Sequence, residues 1–254
     1  MSTLTALPPL YSFGHALDMD ESKVGLLRDS SDAAEDVVEL RRRFAADGYL
    51  YMKGYLDRDE VLSARASLTE RLAAAGVLDE SHPTIDGVCK PGSGYVFKPE
   101  ITNGNVAVQN LLYGDRLTGF YRKFYGEDIR HYDFTWLRAI GPGKGTNPHC
   151  DLPYMGRGTH GHMTCWVPYG DISFDLGGLM VLERSHQRMD LLQNYVYRDG
   201  SVQRQNINFI STPGEYVAGA GEYYTNGTLP INSGEQLLSP IKQFAVIARF
   251  DYEL

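Results

Sequence analysis

The sequence predicts a mainly β fold with flanking helices, an α+β arrangement in which a jelly roll or barrel carries helices on its outside. Three observations favour this fold class. The 254 residues suffice for one sizeable core, and all-β barrels and sandwiches often reach this length as one domain. Amphipathic helical patterns are confined to the first half of the chain. After residue 126, short aromatic and β-branched segments alternate with Gly/Pro turns.

The chain is predicted to form a single domain over residues 1–254, because it shows no internal repeat, charge block or interdomain linker. Residues 1–30 have no sustained period and are expected to wrap over the surface. Residues 31–125 are predicted to form a helical support. Residues 130–254 are predicted to form the jelly-roll core, with an insertion at 187–236.

The composition argues against several classes of partner. The formal net charge of −8 does not favour a nucleic acid or an anionic membrane surface. No apolar run reaches the roughly 18 residues of a membrane-spanning helix, and the N-terminus lacks the basic and apolar regions of a signal peptide. The cysteines, Cys89, Cys150 and Cys165, have no zinc-like spacing. We therefore expect a soluble, cytoplasmic protein with free thiols.

The helical support is predicted to begin with a helix capped by Asp32, with Glu35 completing a capping box. This helix is expected to end at Gly48. Residues 49–52 follow as a short strand, because they are rich in aromatic side chains.

A second helix is predicted from an Asp57 cap to Gly76. Residues 81–104 are rich in Gly, Pro and Thr and are interpreted as a long loop, with a strand at 95–98 inside it. A third amphipathic helix is predicted over 110–124.

The predicted jelly-roll core opens with a strand at residues 132–140, which is followed by a Gly/Pro-rich turn. The insertion at 187–236 mixes polar and aromatic residues without a period, and we expect one or two short helices there. Further strands are predicted at 149–154, 163–168, 177–183 and 244–250.

A histidine and an aspartate two positions apart, His149 and Asp151, are candidate metal ligands. On a strand their side chains would point to the same face, since strand side chains alternate with period two. One imidazole nitrogen and one carboxylate oxygen could then reach one ion. Two histidines and one carboxylate are the usual ligand set of non-haem Fe(II) oxygenases.

Four segments together resemble the phytanoyl-CoA dioxygenase family. Residues 145–159 (GTNPHCDLPYMGRGT) are similar to its metal-binding segment, and 166–168 (WVP) to its Trp-x-Pro strand end. Residues 177–186 (GGLMVLERSH) resemble its Gly-x-Leu-x-Val-x-Pro-Gly-Ser-His element, and 47–50 (DGYL) its opening strand. The resemblance extends from about residue 35 to 190. Members of this family are Fe(II)- and 2-oxoglutarate-dependent oxygenases, so it implies a double-stranded β-helix, which is a cupin-like jelly roll.

The resemblance assigns roles residue by residue. His149 and Asp151 would be iron ligands, and Lys98 and Trp166 would contact 2-oxoglutarate. Arg138 could also meet an anionic group of the cosubstrate, although a structural salt bridge fits it equally well, as a solvated surface position fits Lys98. His186 would close the Ser-His turn without binding the metal, and Trp166 could also be core, as could the aromatic residues of 132–136.

The C-terminal part departs from the family pattern. The family's second histidine ligand and its 2-oxoglutarate-binding arginine follow a Gly-Asp turn near the C-terminus, whereas no histidine follows His186 here. We therefore expect the jelly roll to be incomplete at the C-terminus, with the third ligand missing. Alternatively, Asn226 or a water fills the position. His160 and His162 are further candidate donors, although we expect them to be solvated turn residues.

The sequence thus predicts a dioxygenase that uses Fe(II), 2-oxoglutarate and O2 to oxidise a small-molecule substrate, with release of succinate and CO2. Because the third ligand is not found, the alternative is a catalytically impaired or inactive jelly-roll binding module. A cupin-type isomerase or epimerase is a third possibility, but the chain shows no suitable His/Glu cluster. Neither the identity of the substrate nor an oligomeric state is indicated.

Overall fold

The structure is a computed structural model that describes residues 9–12, 15–92, 95–97, 99–132, 135–141, 149–151, 162–193 and 243–247. In chain order its helices and strands are β1 (Tyr11–Ser12), β2 (His15–Ala16), α1 (Val37–Asp47), α2 (Arg58–Ala74), β3 (Tyr95–Phe97), α3 (Val106–Tyr113), α4 (Asp115–Tyr125), β4 (Arg138–Ile140), β5 (His162–Trp166), α5 (Met189–Leu191) and β6 (Gln243–Ile247). None of the helices in these ranges is long and apolar enough to cross a membrane.

Helix α1 is capped by Asp36, whose carboxylate accepts hydrogen bonds from the backbone N–H groups of Val38 and Glu39. The predicted cap at Asp32 was wrong by four residues. Asp32 lies in a short 3-10 turn and forms an ion pair with Arg43 at 2.5 Å. Its carboxylate therefore binds a side chain of α1 and does not cap the helix. The predicted end at Gly48 is confirmed, since this glycine has a left-handed conformation with φ of +86°.

Helix α2 has the predicted cap, because Asp57 accepts hydrogen bonds from the backbone N–H groups of Asp59 and Glu60. The helix ends beside Gly76, which has φ of +74°. Its buried stripe faces the core and consists of Val61, Ala64, Leu68, Thr69 and Leu72. Two arginines of α2 also hold the chain after β5, as Arg58 pairs with Asp171 and Arg65 donates to the Tyr169 carbonyl.

The predicted helix at 110–124 is divided at Gly114 into α3 and α4. Gly114 is extended, with φ of −69° and ψ of 169°, and is both the C-cap of α3 and the N-cap of α4. A Cβ atom at this position would collide with the Asn110 carbonyl oxygen, so glycine permits the bend. The break allows Leu111 and Phe120 to face different parts of the core.

Two hydrophobic clusters form the described core. The first joins α2 and α3 to Leu137, and the second joins α1 to α4 and to the buried residues Leu50 and Met52. Tyr55 packs against both clusters. Residues 49–52 are buried as their composition predicts, but the predicted strand reduces to one parallel bridge between Tyr51 and Asp29.

In the part of the chain that the structure describes, the strands form three separate pairs. β1 and β2 form an antiparallel hairpin within the stretch that was expected to wrap the surface. β3 pairs with β4 in antiparallel orientation, which confirms the strand predicted at 95–98 over residues 95–97, whereas residue 98 lies outside the described ranges. β5 pairs with β6 in parallel, with Trp166 opposite Ile247. The double-stranded β-helix stays a prediction, because residues 142–148, 152–161 and 194–242 lie outside the described ranges.

Several predicted strands of the core are shorter than expected or absent. The strand at 132–140 is reduced to Arg138–Ile140 in the described part, and 149–151 have no strand pairing. The strand predicted at 177–183 was wrong, because Gly177 and Gly178 have positive φ and no strand hydrogen bonds form there. For the insertion, α5 supplies one short helix, and residues 194–236 lie outside the described ranges.

A leucine truncation in α2 tests which face supports the core. Leu68→Ala should lower the free energy of unfolding by about 2 to 5 kcal/mol, because Leu68 is only 3% exposed and its removal leaves a cavity. The same change at Leu62, which is 38% exposed on the same helix, should lower it by less than about 1 kcal/mol. Urea unfolding followed by circular dichroism measures both. Equal losses would contradict this orientation of α2.

Candidate metal-binding site

Strand β5 presents two different faces. Met163 packs against the cluster of α1 and α4, and Cys165 packs against the cluster of α2 and α3. Because strand side chains alternate, Thr164 and Trp166 lie on the opposite face. Packing against the helices therefore leaves the face of β5 with Thr164 and Trp166 for the candidate site.

His149 and Asp151 meet on the side of β5 that carries Thr164. His149 Nε2 lies 3.2 Å from Asp151 Oδ1, and the two side chains are 29% and 28% exposed. Thr164 Oγ1 donates a hydrogen bond of 2.5 Å to the other carboxylate oxygen, Asp151 Oδ2. The two residues predicted to share an ion thus have their polar atoms side by side, although residues 149–151 form no strand.

The Asp151 carboxylate is held in its charged form. Burial raises its pKa, but hydrogen bonds from His149 and Thr164, with the charges of His149 and Arg138, outweigh burial and hold the pKa below the usual value of an aspartate. A carboxylate ligand must be deprotonated to bind a metal ion, so this environment favours the required state.

The His149–Asp151 geometry fits two adjacent ligands of one ion. His149 Nε2 lies within hydrogen-bond distance of Asp151 Oδ1 and donates to it, and a metal ion bound by both atoms would take the place of that proton. Bonds of about 2.0 to 2.2 Å from a metal to two ligands at right angles place the ligand atoms about 3 Å apart. Within the described residues, no group of three or more His, Cys, Asp or Glu side chains is arranged to hold a metal ion.

The other predicted site residues have different outcomes. Arg138 is exposed on β4, since its neighbours Leu137 and Ala139 face the first cluster, and its charge acts on Asp151. Trp166 is half-buried on the same face of β5 as Thr164. Lys98 lies outside the described residues, so its role stays a prediction.

Among the remaining histidine candidates, the structure describes the side chain of His186. His186 lies at the C-terminal end of α1, where its Nε2 is 2.9 Å from the Ala45 carbonyl oxygen, in keeping with the predicted turn role. The backbone of His162 pairs with Gln243 in the β5–β6 ladder. His160 and Asn226 lie outside the described residues.

Thr164 is the site residue that sequence reasoning missed. Its position two residues before Trp166 on a predicted strand was the one available signal, because it implied a shared face. This signal did not reveal that Thr164 bonds to Asp151, because the two residues are 13 positions apart and no sequence pattern indicates which distant residues come together.

A comparison with known proteins finds one distant hydroxylase. The chain is 26% identical over 167 residues to 1-deoxypentalenic acid 11-beta-hydroxylase of Streptomyces exfoliatus. The alignment covers 63% of this chain and 58% of the hydroxylase, so the chain spans less than two thirds of that relative. No family model matches the chain, and no solved structure matches it. The similarity supports a relationship to oxidative enzymes at this broad level.

The pairing of Asp151 predicts a stability difference that depends on pH. A carboxyl group with a lowered pKa in the folded state stabilises the fold above its unfolded pKa of about 3.9, and this contribution is lost as the pH falls through the folded pKa. Asp151→Asn should therefore lower the free energy of unfolding by about 1 to 3 kcal/mol at neutral pH. The deficit should shrink towards zero under acid.

Urea unfolding of the metal-free protein between pH 3 and pH 7 measures this deficit. Asp128→Asn, at a fully exposed carboxylate, is the matched control and should change stability little at any pH. A deficit for Asp151→Asn that is constant over the whole pH range would show that the charge of Asp151 does not contribute.

Proposed function

We propose that the protein is an Fe(II)- and 2-oxoglutarate-dependent oxygenase that oxidises a small organic molecule and releases succinate and CO2. The observation that carries this proposal is the pairing of His149 Nε2 with Asp151 Oδ1, in a geometry that suits two adjacent ligands of an octahedral ion. The distant similarity to a hydroxylase supports the oxidative class of reaction.

In this proposal, His149 and Asp151 hold Fe(II) and leave its other positions open for the cosubstrate, O2 and a further ligand. When bound, the iron together with 2-oxoglutarate and O2 supplies the oxidising power for hydroxylation. The chain's own residues bind and orient the reactants. Asp151 contributes a negative charge that binds the cation, and Arg138, whose charge acts on Asp151, contributes a positive charge for a carboxylate of 2-oxoglutarate.

Trp166 and Lys98 complete the proposed cosubstrate site. Trp166 lies on the face of β5 that carries Thr164, where an indole can cover a bound anion and exclude water. Lys98 follows β3, whose last residue, Phe97, is paired with Arg138. Exclusion of water would strengthen the attraction of Lys98 and Arg138 for a bound carboxylate.

Small carboxylic acids are the first substrates to test. The related hydroxylase is named for an acid. In this chain, Trp136 and Ile140 are 38% and 48% exposed and alternate with the inward-facing Leu137 and Ala139. They therefore share a face with Arg138, and an apolar surface beside a cation suits an acid with an apolar body.

A binding module without catalysis is the second candidate. It is favoured by one fact, that none of the seven histidines follows His186, where a third ligand would be expected. Such a module would bind an anion through residues such as Arg138 and Trp166 without supporting turnover.

Anaerobic titration with Fe(II) and 2-oxoglutarate tests the proposed oxygenase. The protein should develop a weak visible charge-transfer band and, after O2 is admitted, form succinate. His149→Ala and Asp151→Ala should abolish the band and weaken Fe(II) binding by more than about 100-fold, because each removes a ligand. His82→Ala removes an exposed histidine outside this site and should leave the band unchanged.

Two results would decide against the oxygenase. Absence of both the band and succinate at saturating Fe(II) and 2-oxoglutarate would exclude this activity for the chain. Metal-independent binding of 2-oxoglutarate or of a small acid, lost in Arg138→Ala and kept in Asp151→Ala, would support the binding module.

A further inference from the structure

We propose that Thr164 is a positioning residue for the Asp151 carboxylate. Its hydroxyl holds Oδ2, and this favours metal binding through Oδ1, the oxygen beside His149. This inference rests on the proposed metal site and adds a residue to it. Thr164 itself would not touch the metal.

The two carboxylate oxygens of Asp151 have separate partners. Oδ2 accepts the Thr164 hydroxyl proton at 2.5 Å, whereas Oδ1 faces His149 Nε2 at 3.2 Å. A hydroxyl that donates to Oδ2 uses one of the lone-pair positions of that oxygen and so competes there with a metal ion. The arrangement therefore favours binding through one oxygen.

Thr164 is well placed to hold the carboxylate still. Its neighbours Met163 and Cys165 pack against the two helical clusters and pair with Phe244 and Val246 of β6. A β-branched side chain on a strand also has few rotamers, so the hydroxyl has little freedom. Asp151, by contrast, lies in a segment without strand pairing and depends on such contacts for its orientation.

The consequence is a metal site with more open positions. Without the Thr164 hydroxyl, the carboxylate would no longer be held with Oδ1 beside His149, and this loss of orientation weakens metal binding. The rotated carboxylate could also present both oxygens to the ion, which would use a position that a cosubstrate with two donor atoms needs. Partners of metal ligands commonly affect metal affinity by about 10- to 100-fold when they are removed. Thr164 would affect metal affinity in this way, by orienting the carboxylate of Asp151.

A purely structural role for the same hydrogen bond makes a different prediction. If Thr164 only tethers residues 149–151 to β5, its loss should lower stability and leave the metal affinity of the folded protein unchanged. Metal affinity and stability must therefore be measured separately, on the same variants.

The test uses the full chain, Co(II) as the probe, and calorimetry without O2. Thr164→Val keeps the shape of the side chain without its hydroxyl and should weaken Co(II) binding by about 10- to 100-fold. Thr164→Ser keeps the hydroxyl and should bind close to the level of the original protein. Thr135→Val is the matched control, because it removes a threonine hydroxyl bonded to Tyr113 Oη at 2.6 Å, and it should not change affinity.

The visible spectrum of bound Co(II) provides a second readout. A carboxylate that binds through both oxygens changes the coordination number, so the intensity of the bands should differ between Thr164→Val and Thr164→Ser. Thermal unfolding of the metal-free variants reports the structural contribution. If Thr164→Val does not fold, Thr164→Ala replaces it as the variant without a hydroxyl.

Different failures identify different errors. If the original protein binds Co(II) and Asp151→Ala does not, but a folded Thr164→Val binds as tightly as the original with the same spectrum, the role of Thr164 is wrong and the metal site stands. If the original protein binds no Co(II), the metal site and the role of Thr164 are both wrong.

Discussion

The contact of Met163 and Cys165 with the helices is the constraint on which the candidate site depends. These two residues face the hydrophobic clusters, and the pleat of the strand then places Thr164 on the opposite side. A strand shifted by one residue would turn Thr164 into the core and its apolar neighbours outward. Burial of the apolar side chains opposes such a shift, because each CH2 group removed from water contributes about 0.8 kcal/mol.

The helical layer can act as a platform because each of its helices has defined ends. Asp36, Asp57 and Asn105 cap the starts of α1, α2 and α3 through their own side chains, and Gly114 allows α4 to diverge from α3. Arg65 donates to the Tyr169 carbonyl and so ties α2 to the segment after β5. The strand is thereby held along its apolar face and at its exit.

His149 and Asp151 lie in the described residues 149–151, which have no strand pairing, and polar contacts hold the two side chains in place. Desolvation of the Asp151 carboxylate opposes its charge, whereas the hydrogen bonds from His149 and Thr164 favour it and prevail. Functional side chains often lie on irregular segments that a rigid scaffold positions. Here β5 acts through the Thr164 hydroxyl on the carboxylate of Asp151, which the sequence predicts to be a metal ligand.

The sequence by itself determined the features that involve neighbouring residues. The Asp57 cap and the Gly48 terminus were predicted because each involves atoms within a few residues, and His149 and Asp151 were selected by their spacing. The Asp32 cap and the strand at 177–183 were wrong, because Arg43 and two positive-φ glycines competed with the local signals. Only the tertiary structure decided that Thr164 meets Asp151 and that Arg138 acts on it. Such contacts join separate segments, and their energy depends on how the helices and strands pack, which no local pattern encodes.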